Sequence, residues 1–318
     1  MRRRVALLGV PLMIMVAGCA PVGTGPANPG SPADRQEAFD QRAREVADAW
    51  RPDAAWTSGY VPLQEPTVLV GEPEFTEETK LAFHAGWYHQ RADLPAGQPD
   101  EGTIRFPDGE QLPVPLITAV EAYRQLDQGD PPPCPARPTE PATPPPASPP
   151  GGPDDPVSSE PQLACVPLTV TDVALGLAPM HTSRGVAQVP AWLFTVAEID
   201  AVVARIAVAP RAVGAAPEPV APAAPAPQDL VSAQDIQAVD GATLTYRLGV
   251  GSCDTGITPL VQEQDHVVVV GGSVVRPTAG ACDDMLNLAP VVVTLRAPLG
   301  ARAVLDVLNG APLRLAAG

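Results

Sequence analysis

Ser252, Cys253, Asp254, Asp265 and His266 bring the residue types of a hydrolytic triad into one stretch of chain. A serine or cysteine nucleophile needs an imidazole within hydrogen-bond reach and a carboxylate that holds the imidazole in one tautomer. The stretch has no G-x-S-x-G turn to lift a serine clear of a sheet, and Ser252 reads as a loop residue beside a disulfide. These residues are therefore read as parts of a β domain, with a hydrolase built on residues 252–266 as the alternative.

His84 and His89, with Glu77 and Glu78 upstream, are the nearest approach to a metal cluster. Residues five apart on a helix point about 140° away from one another, so the pair lacks the shared face of the i,i+4 histidines in HExxH. Ordinary surface or core histidines are expected. Asp154-Asp155 and Asp283-Asp284 lack calcium-loop spacing and read as solvated loop acids. There is no dinucleotide fingerprint and no phosphate-binding loop, and Lys80 is the only lysine. Schiff-base and Ser-Lys chemistry would both depend on that one side chain. No catalytic residue, metal ligand or cofactor site is assigned.

The chemistry the sequence does support lies at Cys19. Arg2, Arg3 and Arg4 precede an apolar run from Val5 to Val16, and Ala17-Gly18 precede the cysteine. A basic head, a short apolar stretch and small residues at the end make a cleavable export signal, and a cysteine at that point is a lipid acceptor. Residues 1–18 are read as a lipoprotein signal peptide and 19–30 as a lipidated Pro/Gly-rich tether. The expected location is the extracytoplasmic face of the cell membrane.

Four cysteines remain: Cys134, Cys165, Cys253 and Cys282. In an exported chain an even remainder reads as disulfides. Pairing Cys134 with Cys165 and Cys253 with Cys282 keeps each bridge inside one unit. A four-cysteine metal site is disfavoured because no Cys-x-x-Cys pair exists.

The 36 acidic residues outnumber the 20 basic ones for a net charge of −16, and cleavage of a signal carrying three arginines makes it −19. So acidic a surface excludes nucleic acid as a partner and argues against electrostatic binding to anionic lipid. Membrane attachment falls to the lipid, and a cell-envelope protein or glycan is the open partner class.

Two stretches, 130–161 and 210–228, are dominated by proline and alanine and lack apolar periodicity. They read as solvated, extended linkers. Before the first, Ser31, Pro32 and Asp34 signal a helix start, and Phe39, Ala43, Val46 and Trp50 repeat at helical spacing. Thr103 to Phe106, a Pro107-Asp108-Gly109 turn and Gln111 to Val114 read as a hairpin. A second helix is expected from Leu116 to about Gln128. Leu168 to Ala178, Val186 to Val196 and Val202 to Val208 read as an antiparallel meander. After the second linker, Leu244, Tyr246, Leu248 and Val250 alternate with polar or small residues. Further strands are expected at 267–270, 291–295 and 303–308, with Asn309-Gly310 as a turn.

The expected fold is α+β, with antiparallel β-sheets and a few covering helices. It has two folded units: an α+β domain over 31–209, interrupted by 130–161, and an antiparallel β domain over 231–318. A Pro/Ala linker at 210–230 joins them.

Pro190-Ala191-Trp192-Leu193-Phe194 after a Thr182-Ser183-Arg184-Gly185 turn, and Pro298-Leu299-Gly300-Ala301-Arg302 followed by Asp306 and Gly310, form a second signal. With the export signal, these segments resemble uncharacterised secreted lipoproteins of actinobacteria. The resemblance implies a cell-envelope lipoprotein and brings no activity or site residues. The expected function is a membrane-tethered, non-catalytic binding or structural module. An envelope hydrolase and an extracytoplasmic sensor or solute-binding lipoprotein are the alternatives, and the last requires a pocket between the two units.

Overall fold

The computed structural model describes residues 30–129, 131, 165–277 and 282–316. The export signal, Cys19, Cys134, Asp154 and Asp155 lie outside the described residues. The described chain is mostly strand, with few helices.

Helix α1 (Pro32–Ala49) begins as its sequence directs. Ser31 accepts the Asp34 N–H, the Asp34 carboxylate accepts the Ser31 N–H, and Pro32 occupies the first turn. Its buried face carries Phe39, Ala43 and Val46, with Arg42 among them. Arg42 donates to the carbonyls of Leu308 at 2.8 Å and Ala224 at 2.5 Å, so its charge is held by backbone oxygens at the edge of an apolar contact. A one-turn helix, α2 (Ala54–Ser58), follows, capped by Asp53.

The N-terminal sheet is built from β1 (Thr67–Val70), β2 (Tyr88–Gln90), β3 (Gly102–Arg105), β4 (Gln111–Val114), β5 (Leu168–Thr182), β6 (Gly185–Val196) and β7 (Ala201–Ile206). The meander of β5, β6 and β7 and the hairpin of β3 and β4 pair antiparallel, and β1 adds to β7. One edge of β6 pairs with β5 along its length, while the other is shared between β7 and β3. Helices α3 (Glu77–Ala85) and α4 (Ala119–Leu126) complete the core through Ala82, Ala119, Ala122 and Leu126. Helix α4 starts three residues later than the apolar spacing suggests. Leu116 bridges Val208 and the Ile117 N–H bonds to Ala207 at 2.7 Å, so both residues are drawn to the sheet and Thr118 becomes the cap.

The C-terminal part is a two-layer sandwich. One layer is β9 (Ala233–Asp240), β10 (Thr243–Gly251) and β13 (Leu286–Thr294); the other is β8 (Leu230–Val231), β11 (Thr255–Glu263), β12 (Val267–Val275) and β14 (Ala303–Asp306). Leu244, Tyr246 and Leu248 of one layer meet Val268, Val270 and Val274 of the other. Every residue from Val267 to Val274 is buried because β12 is covered twice. Its second face, with Val267 and Val269, packs on Phe39, Ala43 and Val46 of α1. This explains an unbroken valine run where a half-buried strand would alternate.

Three features go beyond the sequence reading. The sheets are mixed, since β2 pairs parallel with β5 and β12 parallel with β14. The return from β12 to β14 passes through β13 in the opposite layer, a crossover that makes a parallel pair possible. Helix α1, grouped by sequence with residues 31–209, lays its apolar stripe on the C-terminal sandwich. Finally, the Pro/Ala segment 210–230 is fastened along its course. Gly214 donates to Tyr60 at 2.8 Å, Ala224 accepts from Arg42, and Val220 approaches Gly310.

Candidate functional site

Four turns and one helix end converge where the N-terminal sheet meets the sandwich, around a cleft of about 490 Å³. Trp50 follows the last turn of α1, and Trp56 lies on α2. Asp108 stands in the β3–β4 turn, Arg184 in the β5–β6 turn, Asp265 and His266 in the β11–β12 turn, and Arg302 just before β14.

Asp108, Arg184 and Arg302 are each locked locally. The Arg184 guanidinium lies 3.7 Å from the centroid of the Phe106 ring and donates to Asp108 at 2.8 Å and Glu110 at 2.5 Å. Burial disfavours the Arg184 charge, but the two carboxylates more than offset this and hold it above the ordinary arginine range. The same hydrogen bond holds the Asp108 carboxyl below its usual range. The turn itself is closed by Thr182, whose hydroxyl donates to the Gly185 carbonyl and accepts the Arg184 N–H. Ser183 anchors it to α2 by donating to the Trp56 carbonyl at 2.7 Å.

Across the cleft, Arg302 donates to Glu263 at 2.8 Å and to the carbonyls of Ala297, Pro298 and Leu299. It thereby gathers the Pro298–Arg302 loop around one guanidinium. Burial raises the Glu263 carboxyl, but hydrogen bonds from Arg302 and Arg296 outweigh it and keep the group below its ordinary value. The two loops meet at Gly185, whose φ of 89° is left-handed. A Cβ there would lie 3.2 Å from Pro107 and 3.5 Å from the Gly300 carbonyl oxygen. Trp50 and Trp56 pack edge to face with centroids 5.1 Å apart, and Trp56 is buried while Trp50 is half-buried. Asp265 and His266 are exposed at the cleft mouth.

The residues singled out for chemistry are dispersed. Ser252 lies in the β10–β11 turn and His266 in the β11–β12 turn, at opposite ends of β11. Nine strand residues separate them, roughly 30 Å, and no triad forms. Asp254 accepts the Gly251 N–H at 2.8 Å, and Cys253 is bonded to Cys282 with Cα atoms 5.9 Å apart. Cys253 is therefore no nucleophile. Cys165 is also disulfide-bonded. His84 ends α3 with its ring against Phe83, whereas His89 lies exposed on β2, and Glu77 and Glu78 open α3 at its far end. Asp283 accepts the Met285 N–H, and Asp284 is exposed. Among the described residues no group of three His, Cys, Asp or Glu side chains could hold a metal ion.

Trp192 is core, donating its indole N–H to Ile117 at 3.0 Å. Sequence reasoning flagged the Thr182–Gly185 and Pro298–Arg302 segments but had no means of joining them across more than a hundred residues. Asp306, from the same motif, is wholly buried and closes the turn after β14 by accepting the N–H groups of Leu308 and Asn309.

No family model, curated protein or solved structure matches the chain.

Proposed function

We propose that the chain is an exported lipoprotein, anchored at Cys19 to the extracytoplasmic face of the membrane, and that it is a non-catalytic binding module whose ligand enters the junction cleft. The observation that carries the binding reading is the convergence of two distant loops, each organised by one arginine, on a single cleft. Among the alternatives, a cleft between the N-terminal sheet and the sandwich favours an extracytoplasmic solute-binding or sensing lipoprotein. Export is supported by the Cys253–Cys282 disulfide, since such bridges persist in oxidising compartments. The separation of Ser252 from His266 supports a non-catalytic role.

We read residues 31–209 and 231–318 as two folded units joined by 210–230, with α1 as the part of the first that packs on the second.

The wall chemistry favours one ligand class. Arg184 and Arg302 are already paired with Asp108, Glu110 and Glu263, and Asp265 adds a further carboxylate, so the cleft presents planar polar groups and an indole and offers neither arginine as a free cation to an anionic ligand. A neutral envelope glycan fits, its hydroxyls facing Asp265 and His266 and its C–H face on Trp50. Tryptophan fluorescence titrated with neutral cell-wall oligosaccharides tests this. A saturable change lost in Trp50→Ala and weakened in His266→Ala is expected. Absence of saturable binding, or turnover of the sugar, would overturn it.

A further inference from the structure

We propose that the disulfide-bearing end of the sandwich is a membrane-contacting rim, in which Ile257, Met285, Leu286 and Leu288 rest on the surface of a lipid bilayer. The proposal rests on anchoring at Cys19 and adds an orientation to it.

Met285 and Leu286 are 59% and 62% exposed, and Leu288 and Ile257 are also exposed. Large apolar side chains gathered in this way are an interaction surface more often than a solvated one. Strand β13 is the edge of its layer, and β11 lies beside it. Leu286 and Leu288 pair with Gly251 and Gly249 of β10, so the neighbouring strand has no side chains to screen them. Gln234 and Asp254 reach over those glycines from either side, so the leucines are flanked but left exposed.

The position of the tether selects the occupant. Gly30 lies beside Asp229, whose carbonyl accepts the Val274 N–H at 2.9 Å. Val275 in turn pairs with Thr255, and Gly251 pairs with Leu286. The start of α1, the disulfide and the apolar rim therefore share one end of the sandwich. Eleven residues lead from Cys19 to Gly30, a reach of at most roughly 36–40 Å, so a lipid on Cys19 keeps this end within reach of the bilayer surface. Tethering makes rim contact intramolecular, and weak apolar contacts then suffice. A second copy pairing along β13 is opposed by Pro290 in mid-strand, which removes a donor from the open edge.

The cleft lies at the far end of α1, about 27 Å away along the 18-residue helix, and would face away from the membrane. Asp254, Asp283 and Asp284 border the rim, with Arg276 as the neighbouring cation. They would lie at head-group depth, so contact with zwitterionic lipid should exceed contact with anionic lipid.

The test supplies the tether artificially. The full chain carries a polyhistidine tag in place of the lipid at residue 19 and is held on phosphatidylcholine vesicles containing a nickel-chelating lipid. Dilute peroxide is added and Met285 oxidation is followed by peptide mass. Vesicle-bound protein should oxidise at Met285 about five-fold more slowly than the free chain, because oxidation follows exposure. Leu286→Asp with Leu288→Asp should abolish the protection, and phosphatidylglycerol should reduce it. Equal rates bound and free, or protection that survives the double substitution, would overturn the proposal. Lipidation at Cys19 is read separately by intact mass, so failure of anchoring and failure of the rim are distinguishable.

Discussion

The carboxylate of Asp306 accepts the backbone N–H of Ala233 at 2.8 Å, joining the end of β14 to the start of β9 inside the sandwich. Its other oxygen takes the N–H groups of Leu308 and Asn309, so one buried side chain satisfies three donors. Burial raises the Asp306 carboxyl above its usual range, while these N–H groups pull it back. Asp306→Ala leaves the donors without their acceptor and should cost about 3 kcal/mol. Asp306→Asn retains an acceptor and should cost less. Urea unfolding midpoints of the two variants check the order.

Gly271 and Gly272 let β12 be covered on both faces. A Cβ on Gly271 would sit 2.4 Å from Val307, and one on Gly272 would sit 2.4 Å from Leu248. Gly271→Ala should destabilise by about 1–3 kcal/mol through overpacking. Adding Val307→Ala should return part of that loss, a non-additivity of about 1 kcal/mol in a double-mutant cycle. Strict additivity would mean that the contact does not limit packing.

The Cys253–Cys282 bridge closes a loop of sequence separation 29 between β10 and β13. On the loop-entropy model its removal should cost roughly 3–4 kcal/mol. Thermal melts of the oxidised protein and of Cys253→Ser with Cys282→Ser should differ accordingly, and reductant, which also opens the Cys165 bridge, should lower the melt at least as far.

His181 ends β5 just before the Arg184 turn and is buried, which lowers its pKa below the ordinary value of 6.5. A histidine kept neutral by the fold binds fewer protons there than in the unfolded chain. Its contribution is complete above 6.5 and is lost as pH falls through the lowered value. His181→Gln should flatten that part of the stability curve while leaving stability near neutrality less affected. Identical slopes below pH 6.5 would contradict the assignment.

The elements with strong local signals were legible. The Ser31 cap, the Pro107-Asp108-Gly109 hairpin and the alternation of Thr243 to Val250 each appear where local chemistry directs. Strand β11 was not foreseen, because Thr255 to Thr258 are exposed and offer no apolar period. The placement of α1 was also hidden. Phe39 and Val46 announce a buried face but carry no information on which sheet receives it, and β12 lies more than two hundred residues away. The cleft failed for the same reason: Arg184 and Arg302 are ordinary loop arginines until the fold brings their turns together.

The most direct test is the intact mass of the protein extracted from native membranes, with and without reduction and alkylation, beside a Cys19→Ala variant. The account predicts a mature chain beginning at Cys19, an acyl mass increment that the variant lacks, and no free thiol at Cys253 or Cys282 before reduction. An unlipidated chain with free thiols would contradict both the anchoring and the oxidising location.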